Sequence, residues 1–213
     1  MTAKKSMVTI FPVFCFFLLF ACSGLQTPSI TKNYFDLNMH TQGPKNHGLI
    51  RQGQILLIKE LSIASEFDSH SFVYRMDEFK YTTDFYNEFV AYPAGLITEK
   101  ISEKLYHSEY FSPFLARRQQ DISFRLFGKI TALYGDMQNR KSPEAVMGIR
   151  LILEKKTGDT FTKIFARTYQ FREMLSSFEP EQLAAGWSKG LDTITSDFIN
   201  DLAQQGLINK PSN

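Results

Sequence analysis

Three long stretches of alternating apolar and polar residues, 122–134, 145–153 and 160–171, constrain this chain more than any other feature. In the first, Ile122, Phe124, Leu126, Gly128, Ile130, Ala132 and Tyr134 alternate with Ser123, Arg125, Phe127, Lys129, Thr131 and Leu133. Ala145, Met147, Ile149, Leu151 and Leu153 mark one face of the second stretch, and Phe161, Phe165, Tyr169 and Phe171 one face of the third. A period of two is that of a strand whose successive side chains point to opposite faces. Short polar turns at 135–143 and 155–159 join the three, so they form an antiparallel meander. Gly128 marks an expected bulge or bend inside the first strand.

Such a sheet has an apolar face to bury, and two amphipathic helices are available to cover it. Pro93 opens the first, over about 94–106: Ile97, Ile101 and Leu105, with Leu96, form its apolar side, and Glu99, Lys100, Glu103 and Lys104 the wet side. The second starts at Pro180, and Leu183, Trp187, Leu191, Ile194, Phe198 and Leu202 recur along it at spacings of three and four. Gly186 and Gly190 would let it approach the sheet closely, and Gly206 is its expected stop. Upstream, Tyr34-Phe35-Asp36-Leu37 reads as a short strand and 40–53 as a loop. The run 54–65, with Ile55, Leu56, Leu57, Ile58, Leu61 and Ile63, predicts a central strand buried on both faces, with Lys59 and Glu60 where it emerges. Residues 66–71 read as a turn. Phe72 to Arg75 and Glu78 to Tyr81 read as a hairpin about Met76-Asp77, 85–92 as an aromatic-rich lead into the helix, and 108–120 as a connecting loop. The predicted fold is α+β: a two-layer sandwich with a mainly antiparallel sheet, a three-stranded long meander and both helices on one face. Its domain spans 34–205, with a frayed tail over 206–213.

The N-terminal segment carries a different message. Lys4 and Lys5 precede fifteen uncharged residues, 7–21, fewer than the roughly 20 a helix needs to span a bilayer. The run ends in Leu19-Phe20-Ala21-Cys22-Ser23-Gly24, which reads as a lipobox. On that reading 1–21 is a signal peptide cut between Ala21 and Cys22, Cys22 carries lipid (diacylglycerol and palmitate), and 22–33 is a flexible tether. Ordinary cleavage after Ser23 and an uncleaved anchor fit the same residues.

Charge and cysteine usage then narrow the function. Removing 1–21 leaves 192 residues with 22 basic and 22 acidic side chains. Neutrality argues against nucleic acid as a partner and against strong electrostatic binding to anionic lipid. Cys15 lies in the signal, so Cys22 is the one thiol of the mature chain, and no disulfide is expected. His40, His47, His70 and His107 lack ligand spacing, and no nucleophile elbow, phosphate loop or dinucleotide fingerprint occurs. Asp77, Glu78 and Asp84 read as acids of a solvated turn and edge. No metal, cofactor or catalytic residue is therefore expected, and the chain is not read as an enzyme. Two stretches are candidate surface. One is 72–92, where Tyr74, Arg75, Phe89 and Tyr92 are candidate partner contacts, although most of its aromatics also fit a core. The other is the edge of the meander, open to strand addition or blocked by Arg150, Glu154, Lys163 and Arg167.

The order of these stretches resembles the ABC-type transport auxiliary lipoprotein family, accessory to MCE-type lipid transport systems and including paraquat-inducible protein C. Tyr34-Phe35-Asp36-Leu37 after the tether, the strand at 55–63, Phe72-Val73-Tyr74-Arg75, and Phe89-Val90-Ala91-Tyr92-Pro93 before a helix carry the resemblance, with the meander and its closing helix. The resemblance implies a non-enzymatic docking subunit, anchored in the outer membrane and facing the periplasm. It implies an MCE-domain protein, an ABC permease and an ATPase as partners; Ser23 after the cysteine favours the outer membrane. A carrier enclosing a lipid between sheet and helices, and an envelope-integrity or outer-membrane assembly lipoprotein, are the alternatives, and a homo-oligomer is left open.

Overall fold

The computed structural model describes residues 31–39, 54–108, 110–113 and 122–208, and its folded unit begins at Lys32. The signal peptide, the Ala21–Cys22 cut, tether residues 22–30, and the loop 40–53 with His40 and His47 lie outside the described residues. So do 114–121, with Arg117 and Arg118, and the tail from 209.

The elements in order are β1 Asn33–Phe35, β2 Gln54–Ile58, β3 Ser62–Ile63, β4 Ser71–Arg75, β5 Tyr81–Phe89, α1 Pro93–His107, β6 Phe111–Pro113, β7 Ile122–Asp136, β8 Glu144–Thr157, β9 Thr160–Met174 and α2 Pro180–Gln204. Among the described residues the strands form one sheet of nine, and β7 is its spine. Along one edge of β7 lie β2, β3 and β4, end to end and all parallel to it. β6 flanks β2 in parallel, β5 pairs antiparallel with β4, and β1 adds to β5 in parallel. Along the other edge β8 and β9 complete the antiparallel meander, so β9 is an edge strand of 15 residues. The two-layer α+β reading stands, with a sheet that is antiparallel in its meander and parallel where the N-terminal strands dock.

The helices bury the stripes their periodicity foretold. Ile97, Ile101 and Leu105 of α1 and Leu183, Trp187, Leu191, Ile194, Phe198 and Leu202 of α2 are all buried. Those of α2 meet the inward row of β8, Ala145 to Leu153, which is fully buried, while α1 packs against β6 and α2. Lys104 of α1 ties the helices together, donating to the Asp192 carbonyl (2.7 Å), Asp192 Oδ1 (2.6 Å) and Ser196 Oγ (2.6 Å). The glycine pair does bring α2 close: a Cβ on Gly186 would stand 2.6 Å from Ala145 Cβ, and one on Gly190 2.6 Å from Phe171 Cδ1.

Several local expectations are corrected. The run 54–65 is not one strand buried on both faces. It breaks at 59–61 into β2 and β3, and Leu61 N donates to Thr98 Oγ1 of α1 at the break (3.0 Å). Leu56 alone of β2 is fully buried, because helices cover only one face of the sheet. The bulge of β7 falls at Thr131, between the pairs Ile130↔Ile149 and Ala132↔Gly148. It passes the helix-facing row from Leu126 and Ile130 to Leu133, which pairs with Met147. Ala132 and Tyr134 thereby turn to the other face, where Tyr134 stacks on Phe67 (5.8 Å). Gly128 has a different reason: a Cβ there would stand 2.0 Å from the Arg150 carbonyl oxygen. In β9 a register shift at Ile164 parts Phe161 from Phe165, Tyr169 and Phe171, and its ring stacks under the Arg125 guanidinium (3.7 Å) on the face away from the helices. The turn of the β4–β5 hairpin spans 76–80, with Met76 N donating to Lys80 O (2.8 Å), so Glu78 and Phe79 are in the turn and not in a strand. A short strand, β6, occupies part of the expected 108–120 loop. At the C-terminal end Ile208 is 2% exposed, so the chain packs on the core two residues into the expected frayed tail.

Candidate functional site

Among the described residues no three of His, Cys, Asp or Glu group to hold a metal. His70 Nδ1 lies 3.2 Å from the Phe89 carbonyl, and His107 Nδ1 lies 2.6 Å from the Glu103 carbonyl one turn back along α1. Asp77 Oδ1 accepts from Glu78 N (2.7 Å) in an exposed turn. Two shallow surface depressions are lined mostly by polar groups. One, of about 330 Å³, lies between β9 and the end of α2 at Arg167, Tyr169, Asp197 and Asp201; the other, of about 360 Å³, lies at Lys59, Glu60, Arg125 and Glu154. In the first, Arg167 bonds both Asp201 oxygens (2.8 and 2.7 Å) and Tyr169 OH donates to Oδ2 (2.6 Å). Burial first, then Asp201, pushes the Tyr169 phenol well above its ordinary value.

The most distinctive surface is a lip built on β5. Val73 pairs with Thr83 but Ser71 pairs with Glu88, so residues 84–87 loop out opposite Phe72. Asp84 holds this bulge. Its Oδ1 accepts from the backbone N–H of Tyr86 (2.8 Å) and Asn87 (3.1 Å), and its Oδ2 from Tyr74 OH (2.8 Å) and Asn87 Nδ2 (2.8 Å). A carboxylate that accepts from its own downstream backbone makes such a turn in place of a ladder. Burial works to raise the Asp84 carboxyl, but the bonds from Asn87, Tyr86 and Tyr74 outweigh it and hold it below its ordinary value. Tyr74 responds in the other sense: burial, then the bond to Asp84, pushes its phenol up.

The bulge turns Phe85 and Tyr86 to solvent, 56% and 53% exposed, with their rings edge to face at 5.3 Å. Lys32 sits over the Phe85 ring at 5.1 Å and bonds Glu88. Tyr34 of β1, paired with Glu88, and Val90, whose N–H donates to the Phe35 carbonyl (2.9 Å), extend the same exposed surface.

The predicted contact residues divide. Tyr92 is 59% exposed, packed edge to face on His70 at 4.0 Å beside this lip. Phe89 is 2% exposed, wedged between Phe72 (4.7 Å) and Trp187 (5.2 Å), and Tyr74 is 7% exposed, bonded to Asp84 and packed on Phe178. Those two are core residues and not surface, because alternation along β4 and β5 turns them inward. Arg75 is half-buried and lies 3.6 Å from Asp136, inside an ion cluster that also holds Arg172 and Glu144. Ala21 and Cys22 lie outside the described residues. What the sequence did not single out is the trio Asp84-Phe85-Tyr86. The signal was present: two adjacent aromatics break a period of two, so one face cannot bury both, and an aspartate just before them favours a turn.

A single mixed sheet with β7 as spine and two helices on one side defines the class of domain. No protein-family model and no curated protein matches the sequence. Among solved structures, a Xanthomonas campestris protein of the DUF330 family is 14% identical; the alignment covers 83% of this chain and 97% of that one, with a TM-score of 0.65. An uncharacterised protein is 12% identical over 81% of this chain and 99% of that one, with a TM-score of 0.62. A hypothetical protein from Chlamydia trachomatis is 8% identical over 70% of this chain and 95% of that one, with a TM-score of 0.50. At such identities the likeness is one of fold. Among the described residues no helix is long and apolar enough to cross a membrane.

Proposed function

We propose that this protein is a lipid-anchored, non-enzymatic auxiliary subunit of an MCE-type ABC lipid transport system, held through Cys22 at the outer membrane and facing the periplasm. The observation that carries the reading is what the fold presents outward. Among the described residues the outer edge of the 15-residue β9 has no partner strand and an aromatic lip on β5 is exposed, while Asp84 and Asp201 are engaged in structural bonds. Free edges and amphipathic aromatics are the means by which domains recruit partners. The likeness of fold to the DUF330 protein is in keeping with the arrangement that the sequence resemblance implies, and the lipobox supplies the anchor.

Enclosing a lipid between sheet and helices would call for an apolar void in that layer. Trp187, Phe72, Phe89, Phe124 and Phe198 fill it, each at most 2% exposed, which favours docking over carriage. The test is to label the full chain with a fatty acid in cells and then purify it from membranes in mild detergent. Label should enter the wild type and be lost in Cys22→Ser, and an MCE-domain protein, permease and ATPase should co-purify. An unlabelled wild type whose mature N-terminus is Gly24 would overturn the anchor; a labelled protein that brings down none of the three components would overturn the transport role.

A further inference from the structure

We propose that the β5 lip is a membrane-contact surface: Tyr34, Phe85, Tyr86, Val90 and Tyr92 rest at the headgroup level of the bilayer that holds the lipid anchor. The inference rests on Cys22 being lipidated and adds which face of the domain meets the membrane. Four observations favour the bilayer as the occupant.

The first is where the chain enters the fold. Its first described contacts are those of Lys32 and Tyr34, within the lip itself: Lys32 bonds Glu88 and covers Phe85, and Tyr34 pairs with Glu88. Ten residue steps lead from Cys22 to Lys32. At no more than about 3.6 Å per step that length spans at most about 36 Å. The chain thus enters the domain at the lip, whereas the β8–β9 hairpin tip at Gly158 lies at the far end of the meander.

The second is side-chain chemistry. Tyr and Phe with a Val between them make an amphipathic set suited to the interface, where one end of a side chain is apolar and the other wet. The third is charge. Lys32 and Glu88 neutralise one another and the Asp84 carboxylate is taken up by its four bonds, so the lip offers no cluster of like charges for an acidic or basic protein surface to match. The fourth is that exposure is built in and not accidental. The four bonds accepted by Asp84 fix the bulge, and Phe85 and Tyr86 brace one another. A preformed apolar patch of this kind marks a contact site.

The experiment uses the full lipidated chain in phosphatidylcholine vesicles whose acyl chains are, or are not, brominated near the headgroup. Trp187 is fully buried and serves as the unquenched background. Phe85→Trp places a reporter on the lip, and Asp159→Trp places one on the exposed hairpin tip. Flotation with the vesicles reports the anchor independently. The expected result is that all three proteins float, that bromolipid removes most of the emission added by Phe85→Trp, in molar salt as in low salt, and that the emission added by Asp159→Trp is unchanged. If the proteins float and the lip reporter is unquenched, the lip is not at the membrane, the anchor stands, and the surface falls to a protein partner. Equal quenching of both reporters also overturns the proposal, since the lip would then be no nearer than the far end. If the proteins do not float, the anchor fails and the proposal falls with it.

Discussion

Asp84 shows how much one side chain decides here. Four donors converge on it, and two of them are backbone N–H groups that the bulge removes from the β4–β5 ladder. In Asp84→Asn one acceptor oxygen becomes a donor facing other donors. With about 1 kcal/mol at stake per bond, and more where a donor is left unmet, the variant should lose about 1–3 kcal/mol of stability at neutral pH. The pH dependence has a definite sign. A carboxyl held below its ordinary value in the folded state contributes stability that is fully present above its unfolded value, about 4, and is lost as pH falls through the lower folded value. Urea unfolding of both proteins at neutral pH and in the acid range should therefore show a gap that narrows only below about pH 4. A gap that stays constant into acid would mean that the carboxylate charge is not what holds the bulge.

At the scale of elements, β7 carries the sharpest steric demand. A Cβ on Gly128 would stand 2.0 Å from the Arg150 carbonyl oxygen and 2.8 Å from Leu61 Cδ2, so a methyl group cannot be added without moving backbone. Gly128→Ala should cost about 1–3 kcal/mol, as overpacking does, even though alanine suits a strand no worse than glycine. Unchanged urea midpoints would show that the β8 backbone at Arg150 can move aside. The same strand shows where sequence reading succeeds and where it stops. Periodicity located β7, β8, β9 and both helices, because a long apolar row has one way to be buried. It could not locate the bulges at Thr131 and Ile164, which swap faces partway along a strand and set Tyr134 and Phe161 opposite their expected neighbours. Alternation is a local rule, and a bulge is set by the partner strand. The run 54–65 departs from its pattern for a related reason: apolar density resembles two-sided burial, whereas the break at 59–61 answers to α1 through Leu61 and Thr98. The lip was half legible. Tyr92 is exposed, but Phe89 and Tyr74 are aromatics of the same stretch and lie inside, and only the strand phase separates them.

At the scale of the whole molecule the question is whether the two halves of the sheet fold as one unit. β7, β8, β9 and α2 are joined by local connections, whereas β1 to β5 dock on β7 from far upstream in sequence, in parallel where they meet it. Local meanders form readily and distant parallel pairings slowly, so the C-terminal half is the natural candidate to persist alone. Trp187 argues otherwise. Its indole N–H donates to the carbonyls of Tyr134 and Val146 in the meander (3.4 and 3.2 Å). Its rings meet Phe72 and Phe89 from β4 and β5 (4.8 and 5.2 Å). Without those phenylalanines the centre of α2 would face water, so the apolar surface of each half is completed by the other. One cooperative transition should result, and the single tryptophan is placed to report it. Fluorescence of Trp187 follows the docking of the halves, while far-ultraviolet circular dichroism follows the strands and helices of both. In urea the two curves should coincide, as two-state unfolding requires. Trp187→Ala should shift the dichroism midpoint by the equivalent of about 3–5 kcal/mol without splitting it. A fluorescence transition that comes clearly before the dichroism would instead reveal a meander with α2 that stands by itself, with the β1–β5 half and its lip opening separately.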